Sequence, residues 1–420
     1  GWWPDGLYTA PSDEALLFDI KAMKELGFNM IRKHIKVEPS RWYMHCDREG
    51  ILVWQDLPSP NLPEGHEAFA RQNFEEEAVR IIDAFENHPS IVQWVVFNEG
   101  WGQFDTEWMT QVVIDKVSPQ SLVCCASGWN DAEIGDIKDS HSYPYPSCPI
   151  DQKRACVNGE YGGITLKVPG HIWPGGDFGY TTVETPEDFT VMFNDLADKI
   201  KDHYYYGLNA AVYTQLSDVE IEKNGIYTYD RRILKPYSPT GELKDKILEC
   251  INMPQSDVKI QPVVSTAKEH KYKWKFITED NAPRHWFAKG FDDSLWPKGT
   301  AAFGKSSLWN TQGLISIPWT TPQIYMRRWF YLGDVTQEMI DCMLFMIYHD
   351  DDIFIYINGV WAATKKGSVS NYIPYDISDE ARQTLKPNSW NLIAVKCIQT
   401  GYDQIVDVGI SAFSATDFHY

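Results

Sequence analysis

The strongest constraint on the fold is a regular alternation of apolar, strand-like runs with amphipathic helical stretches up to about residue 250. This alternation is typical of βα units, whose strands pair in parallel. A helix is predicted after Ser12, which suits an N-cap, with Leu16, Ile20 and Met23 on one face and Gly27 at the end. Further helices are predicted at 67–86 and 189–205. Seven strands are predicted, at 29–35, 51–55, 91–97, 122–126, near His141, at 155–158 and at 210–215.

A closed (β/α)₈ TIM barrel needs eight strands, so the first strand is expected to be missing from this chain. After Cys250 the pattern becomes all-β, and the Asn358-Gly359 pair predicts a hairpin turn. We therefore predict a TIM barrel over residues 1–252 and a β-sandwich or jelly roll over 253–420. Its strands are predicted at 272–277, 324–332, 343–348, 353–357, 390–398 and 406–413.

Two carboxylates follow predicted barrel strands directly. Glu99 ends the apolar run 91–98, and Glu160 follows the run 155–159 and precedes glycines. The carboxyl ends of barrel strands form the face on which barrel enzymes hold their catalytic groups. Two carboxylates on that face suggest glycoside hydrolysis.

The formal charge of −20 excludes a typical nucleic-acid-binding protein, because such proteins need a basic surface. No apolar run is long enough for a membrane span, and the chain shows no secretory signal. The eight cysteines have no zinc-like spacing. Acids at 350–352 suit calcium, although a solvated turn is favoured.

The barrel region resembles glycoside hydrolase family 2. The resemblance rests on several motifs in order: Asn87-His-Pro-Ser-Ile91, Trp94, Asn98-Glu99, Asp139-Ser-His141-Ser-Tyr143-Pro144, Gly159-Glu160-Tyr-Gly-Gly163, the run 214–225 and Tyr229-Asp-Arg231. The later half resembles galactose-binding-like jelly rolls at 291–296, 326–330 and 356–359. Family resemblance also implies β-sandwich domains ahead of the barrel, so the chain is interpreted as part of a longer parent.

By that resemblance, Glu99 is the acid/base and Glu160 the nucleophile. Asn98 is expected to bind the sugar 2-hydroxyl, and Arg32 to steady the nucleophile and lower its pKa. His34 is predicted to face the same side as Arg32. Further substrate-binding candidates, each with loop or core packing as the alternative, are His141, Tyr143, Tyr161, Trp101, Trp129, Trp173 and Gln215.

Two departures from the family pattern put substrate contacts in doubt. Many relatives have Ser-His-Tyr-Pro soon after the arginine, where this chain has Ile35 at the histidine position. An Asp-Glu pair of many relatives appears here as Gln55-Asp56.

The sequence predicts a retaining, exo-acting β-glycosidase, most similar to β-galactosidases, that cleaves an oligosaccharide or polysaccharide-derived glycoside without metal or organic cofactor. A periplasmic or extracellular location is expected. β-Glucuronidase or β-mannosidase specificity, an inverting mechanism and a non-catalytic carbohydrate-binding fragment are the alternatives.

Overall fold

The structure is a computed structural model that describes residues 3–59, 67–151, 153–253, 257–278, 282–306, 311, 313–369, 372–401 and 403–416. The chain divides into two compact units, Gly1–Gln255 and Ser256–Tyr420. Each unit is described by itself below. None of the described helices is both long enough and apolar enough to cross a lipid bilayer.

The first unit alternates strands and helices, and it contains strands at all seven predicted places. In chain order its elements are α1 (Asp13–Glu25), β1 (Met30–Lys33), α2 (Ser40–Glu49), β2 (Leu52–Asp56), α3 (Glu67–Phe85), β3 (Ile91–Asn98), α4 (Thr106–Lys116), β4 (Leu122–Ser127), β5 (Ile137–His141), β6 (Ala155–Gly162), β7 (Ile164–Thr165), β8 (Thr181–Thr182), α5 (Pro186–Tyr204), β9 (Leu208–Thr214) and α6 (Glu242–Ile251).

The barrel strands form two parallel sheets, one in the order β1-β2-β3-β4 and the other in the order β5-β6-β9. Between them, the Asp136 amide donates to the Val123 carbonyl at 2.8 Å. No ladder joins β1 to β9 among the described residues, so the predicted barrel is not closed. The parallel registers pair Asn98 with Ser127, and His141 with Glu160, at the carboxyl ends of their strands.

Local sequence signals explain the helix boundaries. The Ser12 side chain accepts a hydrogen bond from the Ala15 amide at 3.2 Å, and Leu16 and Ile20 of α1 are fully buried. Helix α5 begins after Thr185, whose side chain accepts from the Asp188 amide. These caps satisfy backbone donors that a helix start leaves unpaired. Helix α1 begins where the sequence predicts, and α5 begins at Pro186, before the predicted start at 189.

The second unit is formed mainly by two six-stranded sheets, with the orders β14-β13-β21-β16-β19, in which β10 pairs with β21, and β12-β11-β15-β20-β17-β18. Its elements are β10 (Asp257–Val264), β11 (Lys273–Ile277), β12 (Lys298–Thr300), β13 (Phe303–Lys305), β14 (Ile317–Pro318), β15 (Gln323–Leu332), α7 (Gln337–Asp341), β16 (Met343–Asp350), β17 (Asp352–Ile357), β18 (Val360–Lys365), β19 (Ile373–Asp376), α8 (Asp379–Arg382), β20 (Ser389–Ile398) and β21 (Gln404–Thr416). The jelly-roll assignment stays a prediction.

The hairpin predicted at Asn358-Gly359 is confirmed, because these two residues connect the antiparallel strands β17 and β18. Both have positive φ, 52° for Asn358 and 89° for Gly359, as a tight two-residue turn requires. The Asn358 side chain also accepts from the Leu392 amide at 2.9 Å and so attaches the turn to β20. Within the described residues, the acids at 350–352 do not bring three ligand atoms together.

An aromatic contact joins the two sheets of the second unit. The rings of Phe276 in β11 and Phe303 in β13 have centroids 4.8 Å apart. Gly299 in β12 lies beside them, and a Cβ atom there would lie 2.7 Å from Phe276 and 2.8 Å from Phe303. Glycine is therefore required at this position for the two rings to meet.

We predict that Gly299→Ala lowers the free energy of unfolding by about 1–3 kcal/mol, because the added methyl group forces the two rings apart. Gly290→Ala is the matched control, since Gly290 is exposed and has no atom within 4 Å of an added Cβ. Urea unfolding followed by tryptophan fluorescence measures both. Equal midpoints for the two variants would contradict the proposed packing.

Candidate active site

A cleft of about 690 Å³ lies in the first unit and includes side chains from the carboxyl ends of the barrel strands. It is lined by charged and polar residues as well as aromatic ones. They include Arg32, His34, Glu99, Tyr143, Glu160, Tyr180, Thr214, Gln215 and Glu222.

Arg32 at the end of β1 organises this cleft. Its Nε and Nη2 donate to the two carboxylate oxygens of Asp56, at 3.1 and 2.8 Å, in a bidentate pair. Nη2 also donates to Asn98 Oδ1 at 2.8 Å, and Nη1 donates to Glu160 Oε1 at 3.0 Å and to the Gly159 carbonyl at 3.2 Å. A guanidinium has five N–H donors, and these five acceptors use them all.

Asp56 supports Arg32 from beneath the cleft and is almost completely buried. Burial opposes ionisation of Asp56, but the Arg32 charge outweighs it and holds the pKa of Asp56 below its ordinary value. The departure noted at Gln55-Asp56 therefore creates a buried ion pair at the base of the site. Gln55 points elsewhere and accepts from the Tyr43 hydroxyl at 2.5 Å.

Glu160 accepts hydrogen bonds on both of its oxygens. Tyr143 donates to Oε2 at 2.6 Å, and the Thr214 hydroxyl lies 3.1 Å from the same tyrosine oxygen. Burial opposes the charge on Glu160, yet His141 and Arg32 outweigh it and lower the pKa of Glu160. Burial and the Glu160 charge raise the pKa of Tyr143, which therefore remains a donor. The ring of Tyr180 stacks on Tyr143 with centroids 3.6 Å apart.

Glu99 sits directly beyond the end of β3 with a φ of 51°, in the left-handed region that non-glycine residues seldom adopt. Residues held in such conformations cluster at functional sites. Its carboxylate oxygen Oε1 lies 2.7 Å from His141 Nδ1, and Trp101 Nε1 donates to Oε2 at 3.3 Å. Trp129 Nε1 donates to the Glu99 carbonyl at 3.1 Å and so fixes the backbone.

The two glutamates lie close together. One carboxylate oxygen of Glu99, one of Glu160 and a ring nitrogen of His141 are all within 4.8 Å of one another. Three such ligand atoms have the spacing of a cation site. Glu160, however, already accepts from Arg32 and Tyr143, so an ionised carboxylate beside donors accounts for the arrangement.

The structure brings together most of the predicted site residues. His34 is half exposed at the cleft wall, with Nδ1 3.5 Å from Asp56 and 3.7 Å from Glu160. Gln215 donates to Glu222 at 3.2 Å and to Asn224 at 2.7 Å. The others that meet around the two glutamates are Arg32, Asn98, His141, Tyr143 and Trp129.

Two predicted substrate-binding residues do not reach the site. Side chains alternate along a strand, so Tyr161 points away from the face that Glu160 occupies. It packs in the core cluster with Phe193 and Tyr213, and its ring contacts Tyr213 at 5.5 Å. Trp173 packs edge-on against Tyr229 at 5.5 Å and is not among the residues that line the cleft. Tyr161 therefore packs in the core, and the binding role of Trp173 stays a prediction.

Sequence reasoning missed several residues that shape the site, namely Asp56, Ser127, Asp139, Tyr180 and Glu222. Asp56 and Ser127 end buried strands, which is the signal that identified Glu99. Asp139 lies two residues before His141 on β5, so the two side chains point to the same face of the strand. Tyr180 and Glu222 come from loops, for which no periodic signal exists.

Paired carboxylates beside an arginine, at the carboxyl ends of parallel βα strands, define the class of barrel proteins built for glycoside chemistry. Residues 10–248 match the sequence profile described as "Glycosyl hydrolases family 2, TIM barrel domain". The chain belongs to this family, and the resemblance predicted for its barrel is confirmed.

Relatives within the family carry different names. A mannosylglycoprotein endo-beta-mannosidase of Lilium longiflorum is 24% identical over 396 residues, covering 80% of this chain and 34% of that protein. A beta-galactosidase of Lactococcus lactis is 33% identical over 98 residues, covering 22% and 10%. A solved GH2 beta-galacturonidase from Eisenbergiella tayi, bound to galacturonate, is 17% identical with a TM-score of 0.45, covering 57% and 48%. The chain spans about a third or less of the curated relatives named here.

We predict that Arg32→Met lowers the free energy of unfolding by about 3–5 kcal/mol at pH 7, because it leaves Asp56 and Glu160 as buried charges without their cation. In the unmodified protein Arg32 lowers the pKa of Asp56. In the variant this charge is absent, and burial raises the pKa of Asp56. The penalty is then present at pH 7 and is relieved as the pH falls towards about 4, the ordinary carboxyl range. Urea unfolding at pH 7 and pH 5 measures the difference.

The matched control is Arg41→Met, since Arg41 is exposed on α2 and pairs with Asp13 at 3.6 Å. Its loss should cost less than about 1 kcal/mol at both pH values. A penalty for Arg32→Met that does not shrink at pH 5 would show that lost packing, and not unpaired charge, causes it.

Proposed function

We propose that this chain is the catalytic part of a retaining, exo-acting β-glycosidase that uses Glu160 as nucleophile and Glu99 as acid/base. The observation that carries the proposal is the separation of the two carboxylates, whose nearest oxygens lie within 4.8 Å. Retaining enzymes place these groups about 5–5.5 Å apart, and inverting enzymes need about 6.5–9.5 Å to admit a water molecule. The spacing therefore supports retention over the inverting alternative.

The environments of the two glutamates fit these different roles. Glu160 is surrounded by donors and by the Arg32 charge, which keep it ionised and able to attack the anomeric carbon. Glu99 Oε1 lies 2.7 Å from His141 Nδ1, and an imidazole can both give and accept a proton, which the arginine beside Glu160 cannot. Two carboxyl groups in unlike surroundings are the basis on which acid and nucleophile are assigned.

The proposed reaction proceeds in two steps. Glu160 forms a bond to the anomeric carbon while the glycosidic C–O bond breaks and Glu99 transfers its proton to the leaving oxygen. A water molecule then attacks the glycosyl-enzyme. It gives one proton to Glu99 and releases Glu160 as a carboxylate, so both groups return to their starting states.

Asn98 is suited to bind the sugar next to the reacting carbon. Because Arg32 is a donor only, the amide oxygen of Asn98 must face it, and the amide nitrogen is the end that can donate to a ligand. A hydrogen bond to the 2-hydroxyl strengthens as the oxocarbenium-like transition state forms. Arg32 thereby orients the binding residue as well as the nucleophile.

The charges in the cleft favour a neutral sugar over a uronic acid. The four lysine and arginine side chains that line it are engaged with carboxylates: Arg32 with Asp56 and Glu160, Lys33 and Lys36 with Glu38, and Arg231 with Asp19. His34 also faces carboxylates, those of Asp56 and Glu160. Glu222 adds a further carboxyl group at the cleft wall. A uronate carboxylate would meet repulsion there, so we propose a β-galactoside, with β-mannoside and β-glucuronide as the alternatives.

The cleft of about 690 Å³ has the size of a small-ligand site, and we propose exo action on the end of an oligosaccharide there. The named activity of the lily relative is endo, so the sizes of the products discriminate the two modes. Release of single sugars from an oligosaccharide supports exo cleavage, and internal fragments contradict it. We place the enzyme in the periplasm or outside the cell, within a longer parent chain that carries β-sandwich domains ahead of the barrel.

We predict that Glu160→Gln reduces kcat at least about 10³-fold and that Glu99→Gln reduces it about 10²–10⁴-fold, because each loses a group that reacts directly. The measurement is hydrolysis of chromogenic β-galactosides, β-glucuronides, β-mannosides and α-arabinofuranosides. A 2-deoxy-2-fluoro glycoside of the hydrolysed sugar should label Glu160, as mass spectrometry would show.

Glu107→Gln is the control, because Glu107 is exposed on α4. Turnover that survives Glu160→Gln would overturn the nucleophile assignment. Sugar binding by the unmodified chain, without hydrolysis of any glycoside, would instead support the non-catalytic carbohydrate-binding alternative.

We further predict that kcat/KM for the β-galactoside exceeds that for the matched β-glucuronide, and that Glu222→Gln narrows the difference. Burial and the nearby Glu160 raise the pKa of Glu222, but any ionised fraction repels a uronate. Gln retains the size and hydrogen bonding of this side chain while removing its charge. A glucuronide preference in the unmodified protein would refute the neutral-sugar assignment.

A further inference from the structure

A buried chain of polar side chains extends behind Glu99, away from the cleft. His141 Nδ1 lies 2.7 Å from Glu99 Oε1, and its Nε2 lies 2.8 Å from Ser127 Oγ. Ser127 Oγ in turn lies 2.5 Å from Asp139 Oδ2. Ser127 and Asp139 are almost completely buried, so neither can contact a substrate in the cleft.

Two glycines make room for this chain. A Cβ atom at Gly159 would lie 2.3 and 2.6 Å from the Asp139 carboxylate oxygens, and one at Gly128 would lie 2.9 Å from His141 Nδ1. Gly128 also has a φ of 93°, which strongly favours glycine. Glycine at these two positions therefore leaves the space that the Asp139 carboxylate and the His141 imidazole occupy.

The hydrogen atoms of this chain can be assigned by elimination. The Gly159 amide donates to Asp139 Oδ1 at 2.6 Å, and the single Ser127 hydrogen goes to Asp139 Oδ2. The Ser127 oxygen then accepts from His141 Nε2–H. Arg32 Nη1 lies 3.4 Å from the same nitrogen, but its hydrogens are already given to Glu160 and Gly159.

With its proton at Nε2, a neutral imidazole presents the lone pair of Nδ1 to Glu99. Nδ1 also lies 3.4 Å from Glu160 Oε2, but Glu160 already accepts from Arg32 and Tyr143. The shorter contact of 2.7 Å between Nδ1 and Glu99 Oε1 then requires one proton, carried by either group. The surrounding charges permit both locations. Burial opposes a charge on His141, but Glu160, Glu99 and Asp139 outweigh it and raise the pKa of His141, while Arg32 acts in the opposite direction.

We propose that Ser127 and Asp139 are positioning residues that fix the tautomer of His141, and that His141 Nδ1 shares with Glu99 the proton needed by the leaving group. This inference rests on the proposed function. In the shared step, the O–H bond of Glu99 breaks as the N–H bond at Nδ1 forms, giving a carboxylate and an imidazolium. The reverse shift restores the acid, and the Nε2–H bond to Ser127 is unchanged throughout.

The state of Asp139 sets the direction of the chain. Burial outweighs the His141 and Arg32 charges and the two donors, so the pKa of Asp139 lies above its ordinary value. The Ser127 hydroxyl and the Gly159 amide each donate to one of its oxygens, and a carboxylate is the form that accepts on both. An ionised Asp139 can only accept, so the Ser127 hydroxyl donates to Asp139 and His141 Nε2–H donates to Ser127. This arrangement uses a carboxylate to select a histidine tautomer, as a catalytic triad does.

Asp139→Asn should reverse the direction of the hydrogen bonds from Asp139 to His141 with little change in side-chain volume. The amide oxygen can still accept from Gly159, so the amide nitrogen faces Ser127 and donates to it. Ser127 then donates to Nε2, which leaves the imidazole proton at Nδ1 and holds Glu99 as a carboxylate. We predict a fall of about 100-fold or more in kcat for a methyl glycoside, which needs a proton to depart, with KM little changed.

A 2,4-dinitrophenyl glycoside of the same sugar tests the cause, because its leaving group departs without a proton. Its turnover by Asp139→Asn should change less than about fivefold, since Glu99 remains available as a base. Both substrates carry the sugar that the unmodified 420-residue chain hydrolyses. Asp136→Asn is the matched control, because the Asp136 carboxylate accepts from the Val123 amide at 2.9 Å and lies outside the hydrogen bonds that lead to Glu99.

Ser127→Ala provides a second variant if Asp139→Asn does not fold, and it should show the same dependence on the leaving group. Equal losses on both substrates, or no loss in either variant, would overturn the proposed sharing of a proton between His141 and Glu99. A wild-type chain that hydrolyses neither substrate would refute the proposed function. The tautomer of His141 can still be tested in that case, because its measurement needs no turnover.

The tautomer can be observed without turnover by ¹⁵N NMR of the histidine rings, with His141→Gln to identify the signal. At a pH where the ring is neutral, the proton should reside on Nε2 in the unmodified protein and on Nδ1 in Asp139→Asn. The same tautomer in both proteins would overturn the proposal. A change of tautomer would support it whatever the activity.

Discussion

The site depends on the guanidinium of Arg32, whose five donors meet five acceptors from separate strand ends. Asp56 supplies the buried counter-charge, and Glu160 and Asn98 are held by the remaining donors. A planar, permanently charged group with fixed N–H directions can hold three side chains in one geometry, which a lysine cannot. The position of each acceptor is therefore set by the others, and the fold must bring all the strand ends to one level.

The parallel registers meet that requirement. Side chains on one face recur every second residue, so a strand ending one residue later would turn its functional group away from the cleft. Glu160 and Tyr161 show the consequence, since adjacent residues of β6 enter the site and the hydrophobic core respectively. The glycines beside them serve the same geometry, because Gly159 admits the carboxylate of Asp139.

The sequence predicted the strand ends well, because each combines an apolar run with a polar residue that apolar packing alone cannot explain. Glu99 and Glu160 were identified in this way, and Arg32 by the family resemblance, whereas Asp56 and Ser127 carried the same signal and were given no role in the site. Tyr161 and Trp173 were harder to predict, since an aromatic residue near a rim suits packing and sugar binding equally. Tyr180 and Glu222 depend on loop conformations, which no periodicity encodes.

The arrangement also gives the two nearby carboxyl groups different surroundings. Arg32 stabilises charge on Glu160 directly, and all its hydrogens are used before it reaches His141. The shortest contacts of the imidazole are with Ser127 on one side and Glu99 on the other, and Glu160 Oε2 lies further from Nδ1, at 3.4 Å. Two of the buried aspartates, Asp56 and Asp139, act in parallel. Asp56 orients the arginine beside the proposed nucleophile, and Asp139 is proposed to orient the histidine beside the proposed acid. Arg32 alone stands between Glu160 and Asp56, whereas His141 and Ser127 stand between Glu99 and Asp139. An arginine keeps its proton and a histidine can exchange one, and this difference is the basis for proposing unlike roles for the two glutamates.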